Sequence, residues 1–221
     1  MRESYLGTDF RIAGGLYYRI LPDNVGYVLY KSFSSGIGEG NIAEMLYYLR
    51  LCNGLIIDVR GNGGGQLDYA ELLSSHFTNE RTLVGYRTHK TGTGHSDFAS
   101  PTAEYISPST SIRWQKPVIV LTNRQCYSAT NTFVRNMLSF PQVRTLGDST
   151  GGGSGMPFTS ELPCGGIVRF SACPQYDSSM QHIEFGIPAT IPCSLSQEDL
   201  LKGKDTLIET ARSLLSPSSA L

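Results

Sequence analysis

Apolar and polar positions change their period along the chain, and the change separates strands from helices. Leu16-Tyr17-Tyr18-Arg19-Ile20 and Val25-Gly26-Tyr27-Val28-Leu29-Tyr30 are rich in β-branched and aromatic residues, and Pro22-Asp23-Asn24 lies between them. This predicts two strands joined by a turn. Ile42, Met45, Leu46 and Leu49 then fall at i, i+3, i+4 and i+7, one face of an amphipathic helix. Leu55-Ile56-Ile57-Asp58-Val59-Arg60 is a short, nearly continuous apolar run, the mark of a parallel strand buried on both faces. It ends in Gly61-Asn62-Gly63-Gly64-Gly65, after which Tyr69, Leu72, Leu73 and Phe77 predict a second helix.

The second half repeats the alternation. Residues 82–88 predict a strand, and the polar stretch 89–114 shows little periodicity, so we expect a long functional loop. Pro117-Val118-Ile119-Val120-Leu121-Thr122 is a second buried strand, and Ala129, Phe133 and Met137 give the following helix its apolar face. A short strand at 143–147 leads into a second glycine loop at 151–155. Residues 158–171 predict a hairpin turning at Pro163-Cys164-Gly165-Gly166, and 197–215 one helix with Leu207, Ala211 and Leu214 on a side. Strands alternating with helices argue an α/β fold around a mainly parallel sheet. With no internal repeat and no low-complexity linker, one domain over 1–221 is the economical division.

Composition narrows the partners. At 40% hydrophobic and 17% charged residues the chain is that of a folded globular protein, and a net charge of −1 offers nothing to nucleic acid or an anionic membrane. No apolar run is long enough to span a bilayer. The five cysteines form no C-x-x-C pair and no Cys/His spacing suited to zinc, so neither metal nor cofactor is predicted. A bridge from Cys164 to Cys173 or Cys193 stays open. Strand-like sequence begins almost at once after Met1-Arg2-Glu3-Ser4-Tyr5-Leu6-Gly7, which has no targeting character. We therefore expect a chain that lacks an upstream region.

Ligands in α/β folds sit at the carboxyl ends of strands, and three loops occupy that position: 61–65, 123–128 and 147–155. Ser128 directly precedes the helical run from Ala129. A serine there is often an N-cap; the same place suits a nucleophile, because the helix dipole and free N–H groups stabilise developing negative charge. Gly61-Asn62-Gly63-Gly64-Gly65 offers bare amides, but neither G-x-x-x-x-G-K-[ST] nor G-x-G-x-x-G is satisfied, since Gln66 stands where the last glycine would be. Binding of nucleotide is disfavoured, and an oxyanion hole remains open. Asp58, within a buried strand, requires a hydrogen-bonding partner.

Taken in order, four segments carry a resemblance. They are Gly54 to Gly65; Pro117 to Arg124 with Tyr127-Ser128-Ala129-Thr130; Gly147-Asp148-Ser149-Thr150-Gly151-Gly152; and Glu184-Phe185-Gly186-Ile187-Pro188. Together they resemble the S41 peptidase family, the tail-specific or C-terminal processing proteases, from about Val25 to Leu215. The resemblance implies a crotonase/ClpP-like fold of stacked ββα units and a serine endopeptidase with Ser128 as nucleophile. It also implies an oxyanion hole from the N–H of Ala129 and of a glycine in the 63–65 run, Gly64 being our choice. Its implied partners are a peptide or unfolded protein substrate and an upstream, PDZ-like region of the same protein, in an extracytoplasmic setting.

One departure selects the branch. The tail-specific enzymes place a lysine base about 25 residues after the serine, where this chain has Gly153, and no lysine occurs between Lys116 and Lys202. The tricorn-core branch uses serine, histidine and a glutamate, and Glu184 matches that glutamate, which the resemblance makes an orienting group. The base histidine is open: His95 and His182 are internal candidates, and an upstream segment is the third. His76 reads as a core-edge residue, His89 as solvated, and Tyr127 and Phe133 as packing. A non-catalytic module binding a small molecule or peptide on the same fold is the alternative.

Overall fold

The computed structural model describes residues 2–216. Its backbone is a seven-stranded sheet in the order β1-β2-β3-β4-β7-β8-β12. β1 (Arg11–Ala13), β2 (Leu16–Ile20) and β3 (Gly26–Tyr30) pair antiparallel with one another in sequence order. From β3 onward the pairing is parallel, through β4 (Leu55–Asp58), β7 (Val118–Thr122), β8 (Val143–Gly147) and β12 (Ile191–Pro192). A three-stranded sheet combines β5 (Thr82–Arg87), β6 (Thr102–Ile106) and β11 (Gln175–Tyr176). β9 (Phe158–Glu161) and β10 (Ile167–Phe170) form a separate hairpin.

The continuous apolar runs follow from burial on both faces. Val28, Tyr30, Leu55, Ile57, Val118 and Val120 share one core with α1 (Glu39–Leu49), α2 (Leu67–Ser75) and α3 (Ala129–Leu138). Their neighbours Tyr27, Leu29, Ile56, Ile119 and Leu121 share the opposite core with Leu207, Ile208 and Ala211. The period-2 alternation of strand side chains puts successive residues in the two cores. The mixed α/β architecture with a mainly parallel central sheet is as expected.

The structure corrects two expectations. The stretch 89–114 is not all loop, because β6 lies within it and pairs antiparallel with β5. Nor is the tail one helix: α4 (Gln197–Leu201) and α5 (Thr206–Leu215) are separate. Asp205 causes the break. Its Oδ1 accepts from the Leu207 and Ile208 amides, which starts a new helix, and takes Arg60 Nη1 at 3.0 Å.

Arg60 also answers the need of Asp58. Both carboxylate oxygens of Asp58 are held, by Arg60 Nε at 3.0 Å and Nη2 at 2.7 Å, and the Tyr27 hydroxyl donates at 3.0 Å. Breaking this buried set by removing one partner leaves a charge uncompensated. The Arg2 guanidinium donates to the Arg60 carbonyl and adds the N-terminal 3-10 turn to the same cluster. All five thiols are free, so neither Cys164–Cys173 nor Cys164–Cys193 is bridged.

Candidate active site

Parallel pairing decides where the chemistry gathers. β4 and β8 both flank β7, with Asp58 opposite Leu121 and Thr122 opposite Gly147. The loops leaving their carboxyl ends therefore emerge side by side, with 123–128 between the two glycine loops. Backbone bonds fasten the middle loop to both. Tyr127 N–H donates to Asn62 O at 3.1 Å, Ser128 N–H to Gly152 O at 2.8 Å, and Gly151 N–H to Cys126 O at 2.8 Å.

Ser128 occupies the N-cap position of α3 without acting as a cap. Its φ of 58° and ψ of −123° lie outside the regions favoured by a non-glycine residue, and its side chain makes no capping bond. A serine held in such a sharp strand-to-helix turn presents its Oγ outward, as a nucleophile requires. The residue is half-buried and lines a cavity of about 400 Å3 with Gly63, Gly65, Tyr127, Arg169 and Ser171.

The glycine loop presses against this turn. Gly64 has φ +102°, and a Cβ there would lie 2.6 Å from Tyr127 O and 2.8 Å from Ser128 Cβ, so the close approach demands glycine. Its own N–H is committed, however: it donates to Asn62 Oδ1 at 3.0 Å. The N–H groups of Ala129 and Gly65 have no acceptor among the described residues.

Asn62, fully buried, joins the pieces. Besides Gly64 N–H, its Oδ1 accepts from Thr130 Oγ1 at 2.7 Å, and its Nδ2 donates to Tyr30 O at 3.0 Å. One side chain thus ties β3, the glycine loop and the first turn of α3. Sequence reading passed over it as part of a glycine run, although a polar residue amid glycines is itself a signal.

Glu184 is half-buried and reaches the cavity edge through Ser171, whose Oγ donates to Oε1 at 2.6 Å. Its backbone carbonyl accepts from Gly153 N–H at 2.9 Å. Asn131, buried in α3, bonds Ser154 Oγ at 2.8 Å and Ile183 O at 3.0 Å, which anchors the glutamate's segment to the nucleophile helix. Glu184, Ala129, Gly64 and Ser128 therefore belong to one neighbourhood.

Histidines do not join them. His76 is fully buried, bonded through Nδ1 to Ile112 O at 2.8 Å and through Nε2 to Glu39 at 3.3 Å. His89 is exposed, with Nδ1 3.2 Å from Cys173 Sγ. His95 sits in an exposed turn, and His182 packs between Tyr176 and Phe185. Neither internal candidate lines the cavity that holds Ser128. Tyr127 departs from its expected packing role: it is 50% exposed and forms a wall of the cavity, while Phe133 is core. Cys126, two residues before the serine, is inert by burial, which pushes its thiol up to about 12.

The model for peptidase family S41 matches residues 24–193. A crystal structure of a putative peptidase from Parabacteroides merdae superposes with a TM-score of 0.95 at 53% identity, covering all of this chain and 71% of that one. Mature CPAF complexed with lactacystin gives 0.76 at 14% identity over 96% of this chain and 58% of that one. The photosystem II D1 C-terminal processing protease gives 0.61 at 18% identity over 89% and 47%. The chain thus spans less than two thirds of the length of the last two.

Proposed function

The chain belongs to peptidase family S41, a family of serine peptidases, and from that membership we propose that Ser128 is the nucleophile of an endopeptidase. The observation that carries this is the conformation of Ser128. A positive-φ serine heads a helix, caps nothing, and faces a cavity beside amides that have no acceptor.

In the proposed reaction Ser128 Oγ attacks a peptide carbonyl and the developing oxyanion is held by backbone N–H groups. Ala129 supplies one. Within the 63–65 run, the commitment of Gly64 N–H to Asn62 favours Gly65 as the second donor, with Gly64 as the residue whose missing side chain lets the two loops meet. Glu184 orients the base. We assign the base to a histidine on a segment outside these 221 residues, following the Ser/His/Glu pattern of the tricorn-core branch, and place the protein outside the cytoplasm by family membership.

Hydrolysis of an unstructured peptide by the full-length enzyme tests this: Ser128→Ala abolishes it, and unchanged turnover contradicts the proposal. One observation favours a second reading, a binding module for peptide or small molecule. Among the described residues no histidine or lysine lines the Ser128 cavity. A full-length protein that binds peptide yet leaves Ser128 unreactive supports that reading.

A further inference from the structure

We propose that Arg169 makes the cleft selective for substrates with an acidic side chain close to the scissile bond. This rests on the peptidase reading and adds the substrate class. Arg169 lies in β10 and lines the cavity of about 400 Å3 that contains Ser128, where it is the only charged residue among the described ones. It also lines the adjoining cavity of about 470 Å3, which shares Gly65, Ser128 and Pro157 with the first.

Nothing in the fold uses this cation. Arg60, Arg135 and Arg212 each hold a carboxylate of the chain. Arg169 has no hydrogen bond, ion pair or ring contact among the described residues. The hairpin register puts Thr159 opposite it, while Glu161 pairs with Ile167. The rest of the first cavity consists of glycine, serine, aromatic and proline residues, and the Glu184 carboxylate at its edge is engaged by Ser171, so Arg169 is the cation that faces this space. Asp68 stands in the adjoining cavity and repels an anion from that end, which leaves the Arg169 side as the place for a carboxylate. A guanidinium accepts a carboxylate through two parallel N–H donors, which gives orientation as well as attraction.

The test uses the full-length enzyme and internally quenched peptides that differ only in Glu, Gln or Lys within two residues of the cleaved bond. A second pair compares a free acid with an amide at a nearby C-terminus; a preference confined to the free acid overturns the inference. Wild type is expected to favour the carboxylate by roughly 3- to 10-fold in kcat/KM, because Arg169 is exposed and solvent screens the pair. Arg169→Gln brings that ratio close to one, and Arg169→Glu reverses it toward the Lys peptide. A wild-type ratio near one, or an Arg169→Gln ratio equal to wild type, overturns the inference. If Ser128 takes a fluorophosphonate while the preference is missing, only this inference falls. If neither hydrolysis nor labelling occurs, the peptidase reading falls with it.

Discussion

The Tyr127 ring occupies the space into which a side chain at position 153 would project. A Cβ built on Gly153, whose φ is +73°, would fall on the ring atoms. The resemblance puts the lysine base of the tail-specific enzymes at that position, where the Tyr127 ring stands in the way of any side chain. Gly153→Lys is expected to destabilise the protein by about 1–2 kcal/mol, because lysine must take a left-handed backbone angle and push the half-exposed Tyr127 ring aside, and to add no activity. Pairing it with Tyr127→Ala recovers part of that loss. Urea midpoints measure both, and a wild-type midpoint for Gly153→Lys contradicts the packing argument.

Gly64→Ala forces a methyl group between the glycine loop and the nucleophile turn, at a backbone angle that alanine rarely adopts. Displacing Ser128 by even about 1 Å costs roughly 100-fold in rate. The expected outcome is a fall of that order in kcat for the full-length enzyme, with a smaller effect on KM. Retention of wild-type kcat would mean that the two loops do not need this contact.

Replacing Asn62 by Ala strips partners from Gly64 N–H, Thr130 Oγ1 and Tyr30 O in one step. Each buried orphan costs about 1–3 kcal/mol, and water entering the gap relieves some of it, so a loss of about 2–4 kcal/mol is expected. Asn62→Asp keeps the acceptor for Gly64 and Thr130, and its second oxygen, buried against Tyr30 O, must carry a proton to replace the lost donor. It should retain more labelling of Ser128 than the alanine variant. Equal labelling of both would make Asn62 a purely structural residue.

Alkaline pH should weaken the fold. Burial raises Cys52 to about 11 and Cys126 to about 12. Burial first, then bonding to carboxylates, raises Tyr5 and Tyr18 to about 12. In the unfolded chain these groups lose protons from roughly 8.5 to 10, so the unfolded state binds fewer protons above that range. Their stabilisation is complete below about pH 8.5 and is lost as pH rises toward 12. Denaturation midpoints that fall over this window, with alkylation at pH 8 confined at first to the exposed Cys164, are the expected result. A flat midpoint up to pH 11 contradicts it.

The parts of the site that were legible in the sequence are those carried by strand ends. Buried parallel strands read as unbroken apolar runs, so the loops after Asp58, Thr122 and Gly147 could be placed before their convergence was seen. β6 was not legible because Thr102-Ala103-Glu104-Tyr105-Ile106 is only partly buried and carries no clear alternation of apolar and polar residues. The split of the tail depends on Asp205 meeting Arg60, a partner 145 residues away that local periodicity does not reveal. Tyr127 read as packing because aromatic residues next to a helix start usually are; its position over a glycine 26 residues later turned it into a cleft wall. Glu184 was found through a motif, whereas Arg169 and Ser171, on a hairpin with no site-like pattern, became visible only through the shared cavity.

The central claim is that Ser128 is an activated nucleophile, and peptide mapping of the full-length protein after reaction with a fluorophosphonate tests it most directly. The account predicts a single stoichiometric adduct on Ser128, absent from Ser128→Ala. An adduct on another residue, or none at all in the folded full-length protein, contradicts it.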